Sequence, residues 1–235
     1  MNGLLNIKKP KGITSYDVIR FIKKSFRFRG KIGHSGTLDP AASGVLLVCL
    51  GKATKFSSLL MAQKKEYEAT LKLGIRTDTL DEEGKILSKI DNFSVTESEI
   101  RKVFSSFKGE MKQVPPLFSA LKYHGKRMYK IAREGKYVPR KARRMEISEM
   151  EIEEIKIPFI SFRVVCSKGT YIRAICRDVG ELLGCGAFQS ALTRKRIGPF
   201  LLKNALTLEE LKEKGLSQSL ISIPRVLSLI GDFNK

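Results

Sequence analysis

The chain begins with a short apolar segment, residues 4–7, that breaks at Lys9-Pro10-Lys11-Gly12. Thr14 and Ser15 then have the side chains of helix N-caps, and Val18, Ile19 and Ile22 follow at helical spacing. This predicts a helix of roughly three turns with lysines and arginines on its outer face. Val45-Leu46-Leu47-Val48-Cys49-Leu50 is continuously apolar, of strand length and preceded by turn residues, which predicts a buried strand. Residues 66–73 alternate instead: Tyr67, Ala69, Leu71 and Leu73 on one side, Glu66, Glu68, Thr70 and Lys72 on the other. That is the pattern of a half-buried strand. Residues 78–84, rich in acids and ending in Gly84, read as a solvated turn between strands.

Further along, Thr96-x-x-Glu99 is a capping box for a helix with Ile100, Val103, Phe104 and Phe107 inward. A second alternating strand runs through 159–166, with Ile160, Phe162, Val164 and Cys166 on one face. Lys168-Gly169-Thr170 turns into a helix whose apolar stripe is Ile172, Ile175, Cys176, Val179, Leu182 and Leu183. Arg173 falls off that stripe, one turn from the strand end; taken alone, an arginine there is more often a surface charge. Near the C-terminus, Thr207-x-x-Glu210 and Gly215 bracket a short helix. Strands and helices mix without strict alternation, so the expected class is α+β with a mixed, largely antiparallel sheet flanked by helices.

Charge changes the picture more than composition does. Lys and Arg number 44 against 24 Asp and Glu, a net charge of +20. A polyanion is the expected partner, because each phosphate contacted releases counterions. The excess is concentrated. Residues 8–31 carry nine basic residues and one acid, Asp17; residues 122–144 carry ten and one acid, Glu134. The second tract interleaves Tyr123, Tyr129 and Tyr137, rings that can pack or stack against bases. Lys122, Lys126 and Arg127 are its candidate RNA contacts. A solvated cationic face is the plainer reading of either tract alone. A membrane surface ranks below nucleic acid, since no basic amphipathic helix with a wide apolar face stands out.

The four cysteines, Cys49, Cys166, Cys176 and Cys185, form no C-x-x-C pair and read as buried, reduced thiols of a cytoplasmic protein. Histidine or paired-cysteine spacing for zinc is missing. No apolar run reaches spanning length, and neither a signal peptide nor a P-loop is present, since Gly51-Lys52-Ala53 lacks the upstream glycine and the hydroxyl residue.

Candidate chemistry centres on residues 33–44, G-H-S-G-T-L-D-P-A-A-S-G, a loop that leads into the buried strand. Asp before Pro commonly bonds its own turn. Here the carboxylate of Asp39 is also a candidate nucleophile or base. Such a group must stay ionised in a partly dry pocket, and a guanidinium offsets the effect of desolvation; Arg173, at a strand-to-helix turn, is of the right type. Tyr67 is either a packed core residue or a pocket residue. His34 is either an acid or base, or a flat side chain placed beside a nucleobase. His124 reads as a polar loop residue. The acids Asp78, Asp81, Glu82 and Glu83 admit a metal-dependent nuclease only weakly, because the setting fits a solvated turn.

Six motifs in order resemble the TruB-type tRNA pseudouridine synthases across nearly the whole chain. They are Lys9-Pro10-x-Gly12-x-Thr14-Ser15; the 33–44 loop; Lys65-Glu66-Tyr67 followed by Gly74-x-x-Thr77-Asp78-Thr79-x-Asp81-x-x-Gly84; Gln113-Val114-Pro115-Pro116 with Ser119-Ala120-x-Lys122 and Gly125; Ser167-Lys168-Gly169-Thr170-Tyr171-Ile172-Arg173; and Leu192-x-Arg194. The resemblance implies a pseudouridine-synthase-like fold. It implies conversion of uridine to pseudouridine in tRNA, usually at position 55 of the T-arm loop, with no cofactor and no metal. Asp39 would be the catalytic carboxylate, attacking the sugar or acting first as a base. Arg173 would pair with it, Tyr67 would stack on the target base, Leu192 would pack against the pocket, and His34 would hold the flipped-out state. A catalytic domain at 1–205 and a short C-terminal helical extension at 206–235 are expected, too short for a full RNA-binding module of the PUA type. The expected protein is a stand-alone monomer with no obligatory protein partner. A non-catalytic tRNA-binding protein or chaperone is the alternative.

Overall fold

The computed structural model describes residues 1–136 and 138–233. Tyr137, one of the three tyrosines of the second basic tract, lies outside the described residues. The chain forms two compact units: Met1–Tyr67 with Thr193–Lys235, and Glu68–Leu192.

In the first unit, strand Ser43–Leu50 is central. Strand Gly3–Lys9 pairs with it antiparallel, Leu5 opposite Val48 and Lys9 opposite Gly44. The short strand Ile32–His34 also pairs with it antiparallel, and Thr193 and Arg194 pair in parallel with Ser43 and Gly44. The apolar run is continuous because both faces of this strand are covered, whereas a one-sided strand would alternate. Leu46, Val48 and Leu50 pack with Val18, Ile19 and Ile22 of helix Ser15–Ser25 and with Leu208 and Leu211. Val45, Leu47 and Cys49 face the other way, onto Ala53, Leu60, Phe200, Val226 and Ile230. Thr14 caps the first helix as expected, in a reciprocal box with Asp17.

Three helices follow Thr207 where the sequence pattern predicts one: Leu208–Lys214, Leu216–Ser219 and Ile223–Phe233. The last carries Pro224 in its first turn, where a missing N–H costs no helical bond. Pro224 therefore begins this helix rather than breaking it.

The close approach of Gly44 to Arg194 excludes a side chain at position 44. Its φ is +112°, and a Cβ there would lie 2.3 Å from the Arg194 carbonyl oxygen and 2.6 Å from its amide nitrogen. Gly44→Ala is expected to lose at least about 1 kcal/mol of stability, from left-handed strain plus the clash. Urea denaturation measures it, and an unchanged midpoint would mean that the two strands can separate there without cost.

In the second unit the strand order is 187–192, 68–73, Phe159–Cys166, Arg143–Lys156 and Gly109–Gln113. The last three pair antiparallel. Ala69, Leu71 and Leu73 are buried on one face as the alternation predicts. Helix Glu97–Ser105 has the expected capping box and lays Ile100 and Phe104 inward, the Phe104 ring meeting Phe162 edge-on at 5.2 Å.

Helix Ile172–Leu182 buries Ile172, Ile175, Cys176 and Val179 as expected. Two residues depart from the pattern. Leu182 is 63% exposed. The chain reverses after the helix and returns over Gly180, with the Gly186 amide donating to the Gly180 carbonyl at 2.8 Å, so cover ends before the last turn. Arg173, off the apolar stripe, is nonetheless only 5% exposed.

Candidate active site

The loop that carries Asp39 is held from several sides within the first unit. Ser15, itself the first residue of a helix, brackets Leu38: its Oγ accepts from the Leu38 amide at 2.8 Å and donates to the Leu38 carbonyl at 2.9 Å. The Gly12 amide donates to the Pro40 carbonyl at 2.8 Å, and the Ala42 amide to the Asp39 carbonyl at 3.1 Å. Arg194 reaches the loop from inside. Its guanidinium donates to the carbonyls of Gly36, Thr37 and Val45 at 2.9, 3.3 and 2.8 Å. Ser43 and Thr193 bridge through their hydroxyls at 3.1 Å. Leu38 is buried and Asp39 half-buried, so the apolar neighbour anchors a carboxylate that stays accessible.

Not every basic residue of tract 8–31 is free to meet solvent or a polyanion. Lys9 is fully buried, and its ammonium donates to the carbonyls of Pro10 and Ile13 at 2.8 and 2.7 Å. It ties down the turn that Gly12 uses to hold Pro40. The other basic residues of the tract face solvent or its edge. Lys65 is likewise buried and donates to the carbonyls of Met61 and Gln63, fixing the entry to the strand that carries Tyr67. Tyr67 is 7% exposed on the buried face of that strand. His34 ends strand Ile32–His34. It borders a cavity of about 440 Å³ whose wall includes Lys23, Lys31, Gly33, Thr54 and Ser57.

In the second unit Arg173 is held by Asp81. The guanidinium donates to the Asp81 carboxylate at 3.0 Å, to the Thr79 carbonyl at 2.8 Å and to the Phe118 carbonyl at 3.1 Å. Both side chains of this ion pair are about 6% exposed. The other Asp81 oxygen accepts from the Thr79 hydroxyl at 2.5 Å and the Glu83 amide at 3.2 Å. Asp81 therefore does not sit in a solvated turn, as its acidic surroundings suggest. It is the counterion of the buried arginine, and its carboxylate is committed to that guanidinium rather than to a metal. The signal that marks it is its place in the 74–84 motif. Gln113 fixes the start of the arginine's helix: its amide donates to the Tyr171 carbonyl at 3.0 Å and accepts from the Tyr171 amide at 2.9 Å.

Leu192 is half-buried on strand Ala187–Ile197. Lys122, Lys126 and Arg127 are exposed on a two-residue hairpin, Lys122 opposite Arg127 and Tyr123 opposite Lys126. Its turn is His124-Gly125, both at positive φ (45° and 77°), as a type I′ hairpin requires. His124 is thus a turn residue, its ring edge-on to Tyr123 at 4.3 Å.

All four cysteines are free and buried, and burial pushes the thiols of Cys49, Cys176 and Cys185 up, away from the reactive thiolate. Burial also raises the Asp178 carboxyl, against the pull of Arg177 beside it. Among the described residues no group of three or more His, Cys, Asp or Glu is placed to hold a metal ion, and no helix is long and apolar enough to cross a membrane.

A mixed, largely antiparallel sheet flanked by helices is the arrangement of the pseudouridine-synthase-like fold. Two family profiles account for most of the chain: TruB family pseudouridylate synthase (N terminal domain) over residues 23–172, and tRNA pseudouridylate synthase B C-terminal domain over residues 173–221. The chain belongs to the TruB family of pseudouridylate synthases. It is 46% identical to tRNA pseudouridine synthase B of Clostridium tetani over 228 residues, covering 97% of this chain and 78% of the relative. The enzyme of the same name from Clostridium novyi is 50% identical over 228 residues, with the same coverage. Among solved structures it is similar to a chain of a Cbf5–Nop10–Gar1 complex (TM-score 0.71, 36% identity, 90% of this chain and 54% of that one). It is also similar to a chain of an H/ACA RNP bound to a substrate RNA containing 2′-deoxyuridine (TM-score 0.68, 32% identity, 90% and 52%). The chain spans about half the length of those two.

Proposed function

We propose that this enzyme isomerises uridine to pseudouridine in tRNA, at position 55 of the T-arm loop, and that it does so on a nucleotide turned out of its stack. Asp39 is the catalytic carboxylate, Arg173 balances its charge, Tyr67 stacks on the target base and Leu192 packs beside it. Relatives named tRNA pseudouridine synthase B support the substrate. The observation that carries the assignment of Asp39 is the loop around it. Backbone groups at 36, 37, 38, 40 and 45 are all held by residues outside the loop, so the one carboxylate of that loop is presented in a defined position.

The physics requires extrusion. A glycosidic bond inside a stack is out of reach, and unstacking a nucleotide costs a few kcal/mol. Stacking on an aromatic side chain returns about 1–3 kcal/mol. The cavity bordered by His34 supports the same reading, because Lys23 and Lys31 in its wall are cations suited to a phosphate-bearing segment. The enzyme works as a monomer in the cytoplasm without an obligatory protein partner. Release of tritium from C5-labelled uridine in a tRNA transcript tests the reaction, and a transcript lacking the position-55 uridine tests the site.

Binding is expected to weaken steeply with salt, with log Kd rising nearly linearly in log salt as phosphate contacts release counterions. Removing the charges of Lys122, Lys126 and Arg127 together is expected to lower that slope by about 2, near 0.7–0.9 per lost contact. Filter binding over a range of potassium chloride measures it. A flat response would remove the basic hairpin from the RNA-binding surface.

A further inference from the structure

Arg194 is 1% exposed and carries a full charge into the core of the first unit. Its guanidinium donates to three backbone carbonyls, two ahead of Asp39 and one beyond it, and no carboxylate pairs with it among the described residues. An apolar side chain would satisfy the core more simply, since a buried charge is costly unless its hydrogen bonds are met. The three acceptors diverge from one plane-fixed donor fork. A lysine, with donors on a single nitrogen, would not reach Gly36, Thr37 and Val45 in the same way.

We propose that Arg194 is a positioning residue for the reaction: by clasping the loop on both sides of Asp39 it sets where the carboxylate stands relative to the sugar. This rests on the assignment of Asp39 as the catalytic group. The effect falls on the chemical step rather than on RNA affinity, because Arg194 is sealed from solvent and spends its donors on backbone carbonyls. Misplacing a reacting group by about 1 Å costs on the order of 10²-fold in rate.

Arg194→Lys and Arg194→Met, measured in single turnover at saturating enzyme, test it. The expected result is a rate about 10²-fold below wild type in both, with tRNA affinity within about threefold of wild type. A wild-type rate in Arg194→Lys would overturn the inference, because charge alone would then suffice. So would a loss of affinity matching the loss of rate, which would reveal a general structural role. Should neither variant fold, Ser15→Ala removes the bracket on Leu38 from the opposite side. It is expected to slow the chemical step with binding retained, and an unchanged rate would show that holding the loop does not limit catalysis. Asp39→Asn runs alongside. Full turnover in that variant defeats the assignment of Asp39 itself, whereas its inactivity beside a fully active Arg194→Lys defeats only the positioning role.

Discussion

Asp39→Asn abolishes pseudouridine formation while tRNA binding stays close to the wild-type level. The expected loss is about 10⁴-fold or more, the upper range for removing a group that acts as base or nucleophile. The amide has the same shape as the carboxylate, so the bonds to Leu38, Pro40 and the Asp39 backbone are retained. What disappears is the negative charge and its lone-pair basicity. Affinity is expected to hold or rise slightly, because an anion facing phosphate is removed. The same variant separates an enzyme from a protein that only binds or refolds tRNA, since pure binding gains nothing from a carboxylate there. Tritium release and filter binding on one preparation give both numbers. Turnover within tenfold of wild type would take Asp39 out of the mechanism.

Asp81→Asn is expected to lose about 3–5 kcal/mol of stability and most of the activity with it. Its carboxylate is a buried counterion of Arg173, and removing one partner of a buried ion pair is strongly destabilising. Stability and activity are expected to part in the double variant Arg173→Met with Asp81→Leu. Two apolar residues of similar volume replace the pair there, and such replacements are often neutral or stabilising. Urea midpoints should therefore recover while turnover does not. If the double variant regains turnover, Arg173 has no part in the chemistry; if Asp81→Asn keeps both its midpoint and its rate, the carboxylate does not hold the arginine in place.

Much of this molecule is local and was legible from residue order. The Thr14, Thr96 and Thr207 caps lie within four residues of the groups they satisfy. The run 45–50 and the alternation of 66–73 declare their strands through side-chain period alone. The position of Asp39, before Pro40 and one loop ahead of a buried strand, follows from turn chemistry. The misreadings share a cause. The sequence neighbours of Leu182, Asp81 and Lys9 give each of them the wrong exposure, because their burial depends on segments far away. Arg173 meets Asp81 across 92 positions and Phe118 across 55.

Sequence alone thus determined many of the secondary elements, the cationic character that suits a nucleic-acid partner, and the acid proposed for the chemistry. Tertiary structure alone decided which charges leave water and what receives them: Lys9 and Arg194 on backbone carbonyls, Arg173 on Asp81. A side chain's polarity is a property of the residue, but the cost of burying its charge is set by partners that chain folding brings from a distance.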